Sequence, residues 1–173
     1  MNEKLDQPIA YGRTAEIYAW DNGQVVKLFY DWLGLEAIQY ERRIAQAVGA
    51  SGLPVPAVGD IIRINERNGL IYQQVTGVSM LAIISRKPWH IFGYARRMAE
   101  LHVAMHERTV EVDIPSQRQK LSHKIGQAAA LPADLRAKAL AALETMPGGN
   151  RLCHGDFHPD NILLTEQGEM IID

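Results

Sequence analysis

Between Arg151 and Leu164 the chain places His154, Asp156 and Asn161 within eight positions, and a short apolar run follows. A second apolar run, Met170 to Ile172, ends at Asp173. Thr165-Glu-Gln-Gly168 between the two runs reads as a hairpin turn, so Asp173 returns on the strand beside the one that Asn161 opens. Two carboxylates and an amide gathered in this way suit phosphoryl transfer. One carboxylate reaches the hydroxyl that is to be phosphorylated, while the amide and the second carboxylate hold the cations that neutralise phosphate charge. A zinc or thiol hydrolase built on Cys153, His154 and His158 is a much poorer reading. The chain has 1 Cys, and a C-x-x-C pair needs two.

The spacing H-x-D-x-x-x-x-N, followed by a strand ending in Asp, is that of the catalytic and metal loops of protein-kinase-like enzymes. The wording His-Gly-Asp-Phe-His-Pro-Asp-Asn, with Gly155 where protein kinases carry Arg, resembles the aminoglycoside phosphotransferase and choline kinase family. The resemblance implies an α+β, protein-kinase-like bilobal fold. Residues 1–75 would form an antiparallel-sheet, nucleotide-binding lobe and residues 76–173 part of a mainly helical catalytic lobe. It implies ATP and Mg²⁺ as cofactors and a small-molecule hydroxyl as acceptor. Asp156 would accept or orient the hydroxyl proton, Asn161 and Asp173 would hold Mg²⁺, and His154 would fix the loop by hydrogen bonds. In the family a helical block follows the position of Asp173. The chain therefore reads as a fragment or a natural truncation, and the sequence leaves both open.

Lys27 sits in the middle of Val25-Val-Lys-Leu28, much as the phosphate-pairing Lys sits in the Val-Ala-Ile-Lys strand of a kinase. Asp31 to Val48 reads as a helix, with Asp31 as N-cap and Gly49 as stop. Leu33, Ala37, Ile44, Ala45 and Val48 share one face at helical spacing. Glu41 falls inside that stripe and Glu36 off its edge. A carboxylate on a buried face needs a partner, and Lys27 on the preceding strand is the nearest candidate.

Three strands are predicted from Ile9 to Tyr30, with Asp21-Asn-Gly23 as a type I′ hairpin turn. The loop Gly12-Arg-Thr-Ala15 between the first two is, on its residues alone, a plain turn. The resemblance makes it the phosphate cover, with Gly12, Thr14 and Ala15 as nucleotide contacts. A strand from Val58 to Ile64, a turn at Asn68-Gly69 and a strand from Leu70 to Val75 follow. The end of that last strand reads equally as an edge strand with a turn or as a hinge between lobes. In the second case Gln73 and Val75 would meet the adenine. Beyond Gly77 the pattern turns helical: Pro88 to Arg108, then a polar connector or irregular helix from Thr109 to Gly126, then Pro132 to Met146. His102 and His106 are four apart, but Val103 stands where a zinc protease helix needs Glu, and both histidines read as structural.

Composition excludes several classes. At 47% hydrophobic and 22% charged, 173 residues suit a globular chain with a core. A net charge of −2 gives no basic footprint for nucleic acid. The single Cys suits a reducing cytoplasm. No apolar run is long enough for a membrane span. A kinase-like module that binds nucleotide or a partner without turnover stands as the alternative to an enzyme.

Overall fold

The computed structural model describes residues 5–110, 114–149 and 151–172. β1 (Ala10–Tyr11), β2 (Ala15–Trp20) and β3 (Gln24–Phe29) form where three strands were expected. Trp20 pairs with Gln24, so the turn between β2 and β3 holds three residues and is not the two-residue type I′. Asn22 and Gly23 still take positive φ, 57° and 71°, which these two residues tolerate best.

The helix α1 runs from Leu35 to Ala50, later at both ends than its sequence signals predict. Asp31 to Leu33 forms a turn, closed by the Leu33 N–H donating to Tyr30 O, and Gly34 occupies the cap position. Gly49 lies within the helix, and the chain reverses at Gly52, whose φ is +80°. Ile38 leads the buried stripe, and Ala37 is exposed.

β4 (Val58–Ile64) and β5 (Arg67–Gln73) form a hairpin, but its turn is not at Asn68-Gly69. Ile64 pairs with Arg67, which leaves Asn65 and Glu66 as the turn, both at positive φ. Gly69 is instead a strand residue facing β3. A Cβ there would lie 2.7 Å from Val26 Cγ2, so the absent side chain permits close strand packing.

The five strands are antiparallel, in the order β1-β2-β3-β5-β4. On one face Ala15, Phe29 and Leu70 pack with Ile38 of α1, ringed by Leu33, Val58, Ile61 and Tyr72. On the other, Val26, Leu28 and Ile64 pack with Leu5, Tyr18, Trp20 and Ile62. Burying a side chain the size of Phe29, Ile38 or Leu70 contributes about 1.5–3 kcal/mol each.

The helical region begins with β6 (Val78–Ser79), a strand too short for periodicity to reveal. Then come α2 (Met80–Arg86), capped by Ser79 Oγ, a 3-10 turn at Pro88–His90, and α3 (Ile91–His106). The helix expected from Pro88 is thus present, opening with the 3-10 turn and continuing as α3, and Lys87, which leaves helical conformation ahead of the proline, separates it from α2. The expected connector contains α4 (Gln117–Gln127), opened by a capping box between Ser116 and Gln119. α5 (Ala133–Thr145) packs beside it, with Arg118 donating to the carbonyls of Glu144 and Met146. β7 (Ile162–Thr165) and β8 (Gly168–Ile171) make the predicted hairpin, and β6 adds to β7 as a third strand. Gly77 permits that addition, since a Cβ there would lie 2.7 Å from Leu164 O. A third core of Leu53, Met105 and Ile171, with Val48, Val55, Leu101, Leu152 and Phe157 around it, ties the end of α1 and the loop after it to α3 and the hairpin. An antiparallel sheet with one helix, followed by a helical region, is the kinase-like fold class expected.

Candidate active site

Strand alternation decides where Lys27 points. Val26 and Leu28 fill the core on one side of β3, so Lys27 and Phe29 face α1. Lys27 Nζ lies 2.9 Å from Glu41 Oε1, and their side chains are 17% and 32% exposed, so the pair is only partly screened by water. The ammonium also stands 5.5 Å from the centroid of the Phe29 ring. The Tyr72 hydroxyl donates to the same Glu41 Oε1 at 3.0 Å. The next residue on the helix, Arg42, donates to Gly59 O at 2.8 Å and to Asp60 Oδ1 at 2.6 Å, which clamps α1 to β4. Glu36 is exposed.

Two backbone bonds hold the loop between β1 and β2. Gly12 N–H donates to Ala15 O at 2.8 Å, and Tyr30 N–H donates to Thr14 O at 2.9 Å. Thr14 is half-buried beside the end of β3, Gly12 is exposed, and the Ala15 methyl is part of the core. At the far end of β5, Gln73 is bound to Ala57 twice: its N–H donates to Ala57 O at 2.8 Å, and its side-chain oxygen accepts from Ala57 N–H at 3.2 Å. Val75 is half-buried just beyond the strand.

The catalytic-type segment is a tight loop. Gly155 has φ +91°, a conformation that a side chain would strain. Asn161 Nδ2 donates to Asp156 O at 3.0 Å, and Ile172 N–H donates to Asn161 O at 2.9 Å. With its amide nitrogen committed to the loop, Asn161 has its carbonyl oxygen to offer a cation. His154 Nε2 donates to Ile172 O at 3.2 Å, which binds the loop to the residue before Asp173. Asp173 itself lies outside the described residues. The Asp156 carboxylate is 78% exposed, with His158 Nε2 at 3.7 Å. His158 Nδ1 accepts from Asp160 N–H at 3.2 Å, so the proton of a neutral His158 sits on Nε2, the side facing Asp156. Behind the loop, Phe157 stacks on His102, ring centroids 5.0 Å apart and 18° between planes. His106 takes Arg151 on its carbonyl and lies 4.0 Å from Cys153 Sγ. Both histidines therefore pack against the loop, a structural part as expected. Among the described residues no three His, Cys, Asp or Glu side chains are arranged to hold a metal ion.

The charge network that shifts titration is on the opposite face of the sheet. Arg67 Nη1 donates to Glu16 Oε2 at 2.8 Å and Tyr18 hydroxyl donates to it at 3.1 Å. The Arg67 bond holds the Glu16 carboxyl below its usual range. Burial, and then the Glu16 hydrogen bond, push the Tyr18 hydroxyl up. Sequence reasoning identified neither this network nor Tyr72. Tyr72 lies two residues beyond Leu70 on β5 and so shares its face, and that parity is the signal that could have placed it towards α1.

Residues 21–173 match the family model described as "Phosphotransferase enzyme family". No curated protein matches the sequence. The crystal structure of an aminoglycoside-3'-phosphotransferase of type VIII superposes with a TM-score of 0.61 at 23% identity, covering 98% of this chain and 69% of that one. The apoenzyme structure of macrolide 2'-phosphotransferase MphH from Brachybacterium faecium gives 0.55 at 16% identity, covering 98% and 66%. The chain thus spans about two thirds of the length of each. At these identities the likeness shows a shared fold.

Proposed function

The chain belongs to the phosphotransferase enzyme family, and from that premise we propose that it transfers the γ-phosphoryl group of ATP to a hydroxyl of a small molecule. The observation that carries this reading is the Lys27–Glu41 pair at 2.9 Å on the sheet. In phosphoryl transfer, such a pair positions an ammonium for the nucleotide phosphates. Residues 1–75 hold the nucleotide, and residues 76–173 supply part of the catalytic lobe. Thr14 and the backbone of Gly12 to Ala15 cover the phosphates, and the main chain at Gln73 and Val75 meets the adenine. The Gln73 side chain serves Ala57 instead.

Asp156 accepts or orients the acceptor's hydroxyl proton, and its exposure leaves room for that hydroxyl. Asn161 and Asp173 hold Mg²⁺, whose preference is for oxygen donors such as an amide carbonyl and a carboxylate. When bound, the ion neutralises phosphate charge. The acceptor class includes hydroxylated antibiotics of the kinds named for the two structural neighbours, and also amino-alcohols and sugars. A net charge of −2 and the absence, among the described residues, of any helix long and apolar enough to cross a membrane fit a protein acting on small molecules. The cytoplasm, which supplies ATP and keeps Cys153 reduced, is the proposed compartment.

The test is ATP consumption against a panel of hydroxylated acceptors, with Asp156→Asn as the diagnostic variant. Loss of general-base assistance should lower kcat by about 10²–10⁴-fold, with Mg·ATP affinity nearly unchanged. Wild-type turnover in Asp156→Asn rejects the catalytic role. Nucleotide binding with no turnover of any acceptor makes the chain a binding module.

A further inference from the structure

We propose that Tyr72 is a positioning residue for Lys27, acting through Glu41. The proposal rests on the phosphotransferase reading for its purpose, and on the described hydrogen bonds for its geometry. Glu41 Oε1 accepts from two donors on adjacent strands: Lys27 Nζ of β3 at 2.9 Å and the Tyr72 hydroxyl of β5 at 3.0 Å. Val25 pairs with Tyr72 and Lys27 with Leu70, so both donors stand on the α1 face, one alternation apart. The carboxylate reaches down from α1 into the seam between the two strands.

Convergence matters because Glu41 is 32% exposed. A long carboxylate at such a site has rotamers that lead to water, and a single ion pair does not hold it strongly. A second, charge-assisted bond from a rigid ring restricts those rotamers. The Tyr72 ring is well placed for this, since it packs against the cluster of Ala15, Phe29, Ile38 and Leu70. Its hydroxyl is thus fixed by the core, Glu41 by the hydroxyl, and Lys27 by Glu41. Arg42 fixes the same helix to β4 independently, so Tyr72 is not needed to keep α1 on the sheet.

Tyr72→Phe removes the hydroxyl and keeps the ring. Two readouts separate this proposal from the function it serves. In the first, an amine-acylating reagent is applied to the folded protein and Lys27 modification is followed by mass spectrometry, normalised to exposed Lys138. Tyr72→Phe should raise the relative Lys27 rate about threefold or more, and Tyr18→Phe, which removes a hydroxyl from the opposite face, should not. This readout needs neither nucleotide nor acceptor. In the second, kcat/KM for ATP should fall about threefold to tenfold in Tyr72→Phe, the range of one ordinary hydrogen bond, since Tyr72 acts on Lys27 only through Glu41. The same change made in a Glu41→Gln background should add no further loss, because the two residues act in series. A Lys27 rate that does not respond to Tyr72→Phe overturns the proposal. So does a full additional loss in the Glu41→Gln background, which would mean that the Tyr72 hydroxyl acts by a route other than Glu41. Absence of any ATP turnover by the wild type would sink the phosphotransferase reading and leave the Lys27 rate to decide on Tyr72.

Discussion

Opposite faces of the five-stranded sheet carry the same trio of side chains, a cation, a carboxylate and a tyrosine, and differ in the cation. On the α1 face Glu41 accepts from Lys27 and Tyr72. On the far face Glu16 accepts from Arg67 and Tyr18. Arg67 also donates from Nε to Phe29 O at 2.9 Å and from Nη2 to Leu28 O at 3.0 Å, and lies 5.4 Å from the Tyr30 ring centroid. A planar fork whose three nitrogens are bound in this way fastens the end of β3 and the β4–β5 hairpin to β2. Lys27 is a compact charge without a plane, and its ammonium has no fixed fork to lock strands together. The lesson is that an ion pair alone does not mark a site. Under the proposed function, the cation's chemistry separates a pair that secures the fold from one that would present charge to a phosphate.

The largest effects expected test that division directly. Lys27→Met should lower phosphotransfer by about 10²–10³-fold, the scale of losing one electrostatic stabiliser of a transition state. Its effect on thermal stability should be small by comparison. Arg67→Met should do the reverse. It strands a half-buried Glu16 and two β3 carbonyls, which costs about 2–3 kcal/mol, less than a fully buried pair because both side chains keep some contact with water. Kinetics and chemical denaturation on the same two variants give the answer. Exchanging the cations sharpens it: neither Lys27→Arg nor Arg67→Lys should restore the wild-type property, since one site needs a point charge and the other a fork. Equal stability losses in Lys27→Met and Arg67→Met would collapse the distinction.

A smaller effect separates two carboxylates on the same helix. Glu41→Ala leaves the Lys27 ammonium without this partner and should cost about 1–2 kcal/mol, reduced from the buried-pair figure because Glu41 is 32% exposed. Glu36→Ala, on the exposed side of α1, should lie within about 0.5 kcal/mol of wild type. Urea unfolding of both variants is sufficient. If the two shifts are the same, the Glu41 pair contributes nothing to holding α1 on the sheet.

What could be read from the chain depended on how local its cause is. The loop from His154 to Asn161 and the hairpin behind it are contiguous, and spacing alone placed them. Lys27 and Glu41 are 14 apart, yet the stripe of α1 and the place of Lys27 on the strand before it were enough to pair them. The pair of Glu16 and Arg67 spans 51 positions and two hairpins, and no local pattern announces it. Asn68-Gly69 misled because a dipeptide that favours turns is also one that lets strands approach, and only the strand opposite, with Val26, decides which. The start of α4 was legible in Ser116 and Gln119, whose spacing is a helix signal, but the polarity of the segment concealed it. β6 has two residues, too few for any period, and exists because Gly77 lets the chain lie against β7.

The smallest effect concerns the pH range over which the far-face trio contributes. The Glu16 carboxyl is held below its model value of 4.5, chiefly by the Arg67 bond. The folded protein therefore binds that proton less tightly than the unfolded chain does. The stabilisation is complete above about pH 4.5 and declines as the pH falls from there through the lower folded value. The Tyr18 hydroxyl is raised above 10.0, first by burial and then by Glu16. Its contribution is complete below pH 10 and is lost as the pH rises through the folded value. The trio thus works across a window with Glu16 at one edge and Tyr18 at the other. Glu16→Gln removes the charge that defines the acid edge. Near pH 7 the variant should be less stable by about 1 kcal/mol. That difference should shrink steadily below pH 4.5, because the wild type loses what the variant never had. Taking the difference between the two proteins cancels every other carboxylate, whose titration they share. Denaturation midpoints at pH 7, 5, 4 and 3 measure it. A difference that stays constant down to pH 3 would mean that Arg67 holds the strands through the Phe29 and Leu28 carbonyls, and that Glu16 is an accessory to that clamp.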